Sequence, residues 1–304
     1  MKKVIILAVL TLVGQTSWAD NNRKLIRDFQ TTRLLSTAGA GVASILSTES
    51  AILNPASSAF FEGSSFSYQS YKTSLDREND LRDAAGDKFD DNKSSQGFFM
   101  ADHSGPVKGG VAYLFQNENG FERTRMALHG AAPLGRDASL GVSYNYIQDV
   151  LPRRFKSNRH QSHHMATIGT SHIIDQDTIL GIVLQDPTRT LPGYERIIAG
   201  FQYNLADRFT LIGDVGTQYT KDVSDKYLWR AAVQLNIFSD FFLRGGQFYD
   251  NIEKLKGTGW GISWIGPRFG AEFAQKFSEQ FAENGYVYEE EKIVDTSFSI
   301  ILKL

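Results

Sequence analysis

The sequence predicts an all-β fold: a transmembrane antiparallel β-barrel of about fourteen strands with a short N-terminal helical plug. Three observations lead there: an export signal, a series of short segments that alternate apolar and polar residues, and connections that alternate between short and long.

Residues 1–19 read MKKVIILAVLTLVGQTSWA. Lys2 and Lys3 precede an unbroken apolar run from Val4 to Val13, and the small residues Ser17 and Ala19 flank Trp18. This is the pattern of a secretory signal, with cleavage expected after Ala19. The apolar run is about half the roughly 20 residues that a spanning helix requires. The expected division is therefore 1–19 signal peptide, 20–62 plug and 63–304 barrel.

The chain has no cysteine, which excludes a disulfide, a thiolate metal site, a cysteine nucleophile and a lipid-modified cysteine. Its formal charge of -2 becomes -4 when Lys2 and Lys3 leave, so no global basic field exists to attract nucleic acid. With 22% charged residues it is too polar for a bundle of membrane helices.

From Ser65 onward the segments are rich in Phe, Tyr, Ile, Val and Gly and keep a period of two. Strands are expected near 64–72, 95–102, 107–116, 121–132, 137–148, 162–172, 176–185, 194–205, 207–217, 226–238, 240–249, 257–265, 267–277 and 293–304. The turns after even strands read HSGP, APLGRD, IIDQ, LADR, FSD and IGPR. Connections after odd strands tend to be longer and polar: 73–94 is crowded with charge, 149–161 is basic and 278–292 acidic. Outer-membrane barrels separate periplasmic turns from extracellular loops in this way. A lipocalin-like barrel could do so over fewer strands.

Alternation gives each strand two faces. Tyr227, Trp229, Ala231, Val233, Leu235 and Ile237 share one side of the tenth strand, against Arg230, Gln234 and Asn236 on the other. An apolar face in lipid with a charged interior is the economical reading, although a soluble barrel could bury the same apolar set. Candidate lumen-lining residues are Arg196, Asp214, Arg230, Arg244, Arg268, Glu272 and Lys276. They would line a conduit, hold the plug through salt bridges, or fill a narrow lumen with hydrated ion pairs.

Residues 22–62 differ from all that follows. They are rich in small residues, with helix-like apolar spacing at Leu25, Phe29, Leu34 and Leu35. Gly39 and Gly41 permit tight turns, and Pro55 after Asn54 starts a turn or short helix. Gly39, Gly41, Asn54, Pro55 and Ala56 are taken as the plug motif; the alternative is a disordered or surface-lying N-terminal extension.

The stretch TAGAGVASILSTESAILNPASSAFF resembles the N-terminal signature of FadL-like and PorV-like outer-membrane proteins, and LGIVLQDPTRTLPGYERIIAGFQYNLADRFTLIGDVG resembles a PorV-like run of strands. FFLRGGQFYD and GWGISWIGPRFGAEFAQKFS resemble the next hairpins, so the likeness covers roughly two-thirds of the chain. It implies a fourteen-stranded barrel with an N-terminal plug. The loops are shorter than in fatty-acid transporters of the group, and the chain closes on Leu304 rather than phenylalanine.

His163 and His164 are adjacent on a strand and so point to opposite faces, which leaves His160, His163, His164 and His172 as a solvated basic cluster rather than a metal site. Glu289, Glu290 and Glu291 read as a solvated loop rather than a calcium site. No GxSxG, phosphate loop or HExxH motif occurs, so an enzyme is not expected, nor is a cofactor or metal. The expected function is transport of a small hydrophobic compound across the outer membrane, gated by the plug. The alternative is a non-conducting scaffold or shuttle of a secretion or envelope complex. Expected partners are outer-membrane lipid and lipopolysaccharide, a hydrophobic small molecule and, in the alternative, envelope proteins.

Overall fold

A computed structural model describes residues 27–45, 49–76, 93–105, 107–118, 121–151, 160–206, 208–238, 240–281 and 292–304. The signal segment, Glu289 to Glu291 and most of the three charged loops lie outside the described residues. Fourteen antiparallel strands close into one barrel. They are β1 (Ser64–Asp76), β2 (Lys93–Asp102), β3 (Lys108–Glu118), β4 (Phe121–Pro133), β5 (Ala138–Val150), β6 (His160–Ile173), β7 (Thr178–Gln185), β8 (Arg196–Leu205), β9 (Phe209–Gln218), β10 (Tyr227–Phe238), β11 (Phe241–Asp250), β12 (Leu255–Ile265), β13 (Phe269–Gln280) and β14 (Lys292–Lys303). Each expected segment is a strand, with ends displaced by a few residues. Every strand pairs with its sequence neighbours, and β1 pairs with β14 from Ser65↔Lys303 to Asp76↔Lys292. Closure leaves no edge with unpaired amides, the condition for crossing lipid with strands.

The connections sort by end. Turns at 103–107, 134–137, 174–177, 206–208, 239–240 and 266–268 share one end, called here the short-turn end. The segments 77–92, 151–159, 186–195, 219–226 and 281–291 join strands at the other, long-loop end, where 119–120 and 251–254 are the short exceptions. Short turns are held by their own side chains. The Asp175 carboxylate accepts from the amides of Asp177 (2.9 Å) and Thr178 (2.7 Å). Those bonds hold its carboxyl below the usual carboxylate range.

Burial decides which face looks out. β2 alternates strictly between buried and exposed positions, and the exposed ones include Phe98 and Met100. Around the barrel the exposed residues are large and apolar, among them Met126, Leu128, Val142, Ile182, Phe201, Val215 and Trp260. Aromatic pairs flank this band: Trp264 with Phe269 (5.9 Å) toward the short-turn end, and Tyr227 stacked on Tyr249 (5.7 Å) toward the long-loop end. An apolar belt between two aromatic girdles is the exterior of a transmembrane barrel, and a sheet with a water-filled surround could not keep it exposed without aggregating. Among the described residues no helix is long and apolar enough to cross a membrane.

A charge placed in this belt tests the orientation. Leu128, 59% exposed between Val111 and Tyr144 on the flanking strands, is expected to cost about 2–4 kcal/mol of folding stability in lipid when changed to Arg. Chemical-denaturant folding into vesicles would measure it, and the same change in a water-facing wall would cost little.

Candidate functional site: the plug and the charged lumen

The chain inside the barrel runs from the long-loop half toward the short-turn end. Arg27 bonds Asp295 and Thr73, high on β14 and β1. A short helix, α1 (Thr32–Ser36), follows, with the Thr31 hydroxyl accepting from the Leu34 amide at its N-cap. Short 3-10 segments at Glu49–Ala51 and Pro55–Phe60 complete the plug. Asn54 caps the second: its Oδ1 accepts from the Ala56 amide (3.1 Å), while Pro55 supplies a preset φ in the first turn. The Asn54 Nδ2 donates to the carbonyl of Val42 (2.7 Å) and the Ser171 hydroxyl (3.0 Å), tying two parts of the plug to β6. Ser139 and Ser143 of β5 donate to the carbonyls of Ala56 and Ala51.

Glycines on the inner wall let plug backbone touch barrel backbone. A Cβ at Gly141 would lie 2.4 Å from the Ala56 nitrogen, at Gly181 2.6 Å from the Val42 oxygen, at Gly246 2.4 Å from the Thr37 oxygen and at Gly259 2.1 Å from the Leu35 oxygen. Gly169 meets Asn54 in the same way. Side-chain-free positions thus trace the outline of the plug on β5, β6, β7, β11 and β12.

Thr32 spans the junction of the first and last strands. Its amide donates to the Gln69 side-chain oxygen on β1 (2.8 Å), and its hydroxyl bonds Ser297 on β14 (2.7 Å).

Six of the seven expected lumen residues face inward. Arg196 is buried among Glu253 (2.6 Å), Asp28 (3.5 Å) and Asp250 (3.9 Å). Asp214 accepts from the amides of Gly41 (2.8 Å) and Val42 (3.2 Å). Arg230, its register partner on β10, donates to the Gly39 carbonyl (3.1 Å). Arg244 bonds Glu272 (3.2 Å), which also lies 3.6 Å from Arg33 of α1. Lys276 donates to Gln30 (2.9 Å) and lies over the Phe248 ring. Arg268 is a correction: it stands exposed in the 266–268 turn, because β13 begins at Phe269 and the inward period cannot be extended past the strand's first residue.

Sequence reasoning missed the cluster under the long-loop end. Arg123 makes a two-pronged bond to Asp149 (2.7 Å each) and donates to the Tyr194 hydroxyl (2.8 Å). Arg125 donates to Asn145 (2.9 Å). Segment 186–195 folds inward over them: the Asp186 carboxylate accepts from the Thr190 and Leu191 amides, and Leu191 and Tyr194 pack on Ile147 and Met165. The inward period of β4 already carried Arg123 and Arg125. Of the histidines, His164 points outward to the Tyr144 hydroxyl and His163 is half-buried on the other face. Among the described residues no three potential ligands converge on a metal position.

Among the described residues, two small cavities lie against the plug. One, of about 40 Å³, is lined by Arg27, Tyr71, Arg230, Phe248, Asp250 and Lys276 among others. The other, of about 50 Å³, touches Phe29, Leu53, Arg125, Met165, Tyr194 and Arg196. Each has room for a few waters.

Barrel, belt and resident insert define a class: a transmembrane antiparallel barrel whose lumen is filled by its own N-terminal segment. The particular architecture is the FadL-like one. No family model matches the chain, and no curated protein matches its sequence. Solved structures do match: a structure described as the CymD monoaromatic hydrocarbon channel has a TM-score of 0.70 at 11% identity, covering 90% of this chain and 97% of that one. The Ralstonia pickettii toluene transporter TbuX has a TM-score of 0.64 at 10% identity, covering 90% and 98%. A Pseudomonas aeruginosa FadL homologue has 0.58 at 11%, also covering 90% and 98%. At such identities the likeness is one of fold.

Proposed function

We propose that this chain is exported, cleaved after Ala19 and inserted in the outer membrane, where it transports a small hydrophobic compound past a plug that gates the lumen. The observation that carries the reading is the plug itself, a segment inside the barrel seated on a wall of glycines. Toluene and monoaromatic hydrocarbons, the cargo named for the neighbours TbuX and CymD, are the first compounds to try. On this reading lipid, with lipopolysaccharide in the outer leaflet, lies against the apolar belt.

Uptake of labelled toluene by vesicles holding the mature protein is expected, with faster and less selective uptake after deletion of residues 23–62. Absence of flux from both would overturn the reading. A lumen occupied by the chain's own plug also suits a second reading, a non-conducting PorV-like scaffold of an envelope complex. Crosslinking in native membranes separates them: a scaffold is recovered with stoichiometric protein partners, a transporter largely alone.

A further inference from the structure

The apolar belt is not equally tall around the barrel. Counted from the short-turn end of each strand, the outward residue six or seven positions up is Gln247, Thr258, Gln275, Thr296, Ser70 and Gln96 on the contiguous strands β11, β12, β13, β14, β1 and β2. On the other eight strands the residue at that height is apolar or aromatic, Met126, Tyr144, Leu184, Val215 and Ala231 among them. Half the wall thus carries an unbroken row of amides and hydroxyls where the other half is greasy. All six are exposed or half-exposed, and among the described residues the bond from the Gln275 amide to the Thr296 hydroxyl (3.4 Å) is the one that joins two of them. Hydrocarbon offers such groups no partner.

On β1 and β2 the lower boundary moves as well. The outward residues at their short-turn ends are Ser64 and Asp102, bonded to each other at 3.0 Å. Between those ends and the polar row only Phe66 and Tyr68 on β1, and Phe98 and Met100 on β2, face lipid. At the usual strand rise and tilt this is about 15 Å of height, against about 25 Å for the apolar band of an outer-membrane barrel. Across the barrel, β8 turns Leu205, Tyr203, Phe201, Ala199 and Ile197 outward in succession. A tilt of the barrel would raise or lower both boundaries together; on β1 and β2 they converge. Tyr68 lies against Phe98 (4.9 Å) just beneath the polar row, and exposed Lys72 stands two positions above Ser70, the order of layers at a membrane–water interface.

We propose that the bilayer is locally thinned against β1 and β2, with phosphate-bearing lipid headgroups drawn along the outer wall to the row of Ser70 and Gln96 and met there by Lys72. Thinning to match a short apolar band has a modest cost per ångström. The outward neighbours of Lys72 across the sheet, Ser94 and Thr296, are neutral, so its charge complements phosphate rather than the same patch on a second copy. Because β1 belongs to the pair that closes the barrel, hydrated headgroups lie beside the seam. The proposal uses the exterior alone and stands whether or not a cargo crosses the lumen.

The cysteine-free chain allows a direct test with single cysteines on the outer wall, in phosphatidylcholine–phosphatidylglycerol nanodiscs that leave both ends of the barrel open to solvent. Heat-modifiable gel mobility checks that each variant is a folded barrel. Gln96→Cys is expected to react with a charged methanethiosulfonate at least about tenfold faster than Ala199→Cys at the same height on β8, since the hydrocarbon core excludes charged solutes. Asp102→Cys is expected to exceed Leu205→Cys, its counterpart at the short-turn end of β8, in the same way. Equal protection of Gln96→Cys and Ala199→Cys overturns the thinning. So does fast reaction at Gln96→Cys with protection at Asp102→Cys, the result for a tilted barrel. Protection of Gln96→Cys together with its disulfide crosslinking between barrels also overturns it, and assigns the row to contact between copies.

Discussion

Replacing Arg196 by methionine is expected to destabilise the protein by about 3–5 kcal/mol, the range for removing one partner of a buried ion pair. The guanidinium is 2% exposed and three carboxylates converge on it: Glu253, Asp28 and Asp250. Methionine fills much of the volume but leaves those acids facing one another, with Arg230 at 3.9 Å from Asp250 as a remaining counter-charge. The loss is thus electrostatic rather than a cavity effect. Denaturant unfolding in detergent micelles would measure it. The double variant Arg196→Met/Glu253→Gln is expected to recover part of the loss, and full additivity of the two changes would show that the acids do not matter. Because Asp28 belongs to the plug and the other two acids to the wall and its loop, the variant should also loosen the plug's upper end.

Gly259→Val is the second change with a large expected effect. Its Cβ would sit 2.1 Å from the Leu35 carbonyl oxygen, and the obstructing atom is backbone near the end of α1, which cannot rotate away. Overpacking where neighbours can shift costs about 1–3 kcal/mol. Here the relief available is undocking of α1, so the expected result is a closed barrel whose plug is cut rapidly by protease between residues 27 and 60. Gly245→Ala is the control: it faces the opposite side of the sheet, and its Cβ would come no closer than 3.9 Å to anything. Equal protease resistance of the two variants would contradict the seating of the plug on glycine.

The barrel was legible because strand physics is written locally. Apolar positions two apart, Gly and Asp at turns, and connection lengths that alternate are all readable without knowing any contact, and the Trp229 to Ile237 face looks outward as its period implies. The inward charges of β8 to β13 followed from the same parity. Arg268 failed because the parity was continued into a turn, where the backbone no longer alternates. What was not legible is pairing between plug and wall. Asp214 finds Gly41 across more than 170 residues of chain, and nothing near either residue announces the other. The glycines did carry a signal that went unused: Gly141, Gly169, Gly181, Gly246 and Gly259 all sit at inward parity, where a barrel otherwise places side chains to fill space. A row of absent side chains on the inner face is the imprint of something else occupying that space.

Thr32 has a consequence for assembly. The pairing of β1 with β14 joins the strands furthest apart along the chain, so it is the contact whose formation carries the greatest entropic penalty and comes late. The segment just ahead of β1 already holds groups that recognise both strands, Thr32 for Gln69 and Ser297 and Arg27 for Thr73 and Asp295. The insert therefore serves as a clasp, drawing the two margins of an open sheet together while it is being wrapped, and the finished cylinder keeps inside it the piece that helped to shut it.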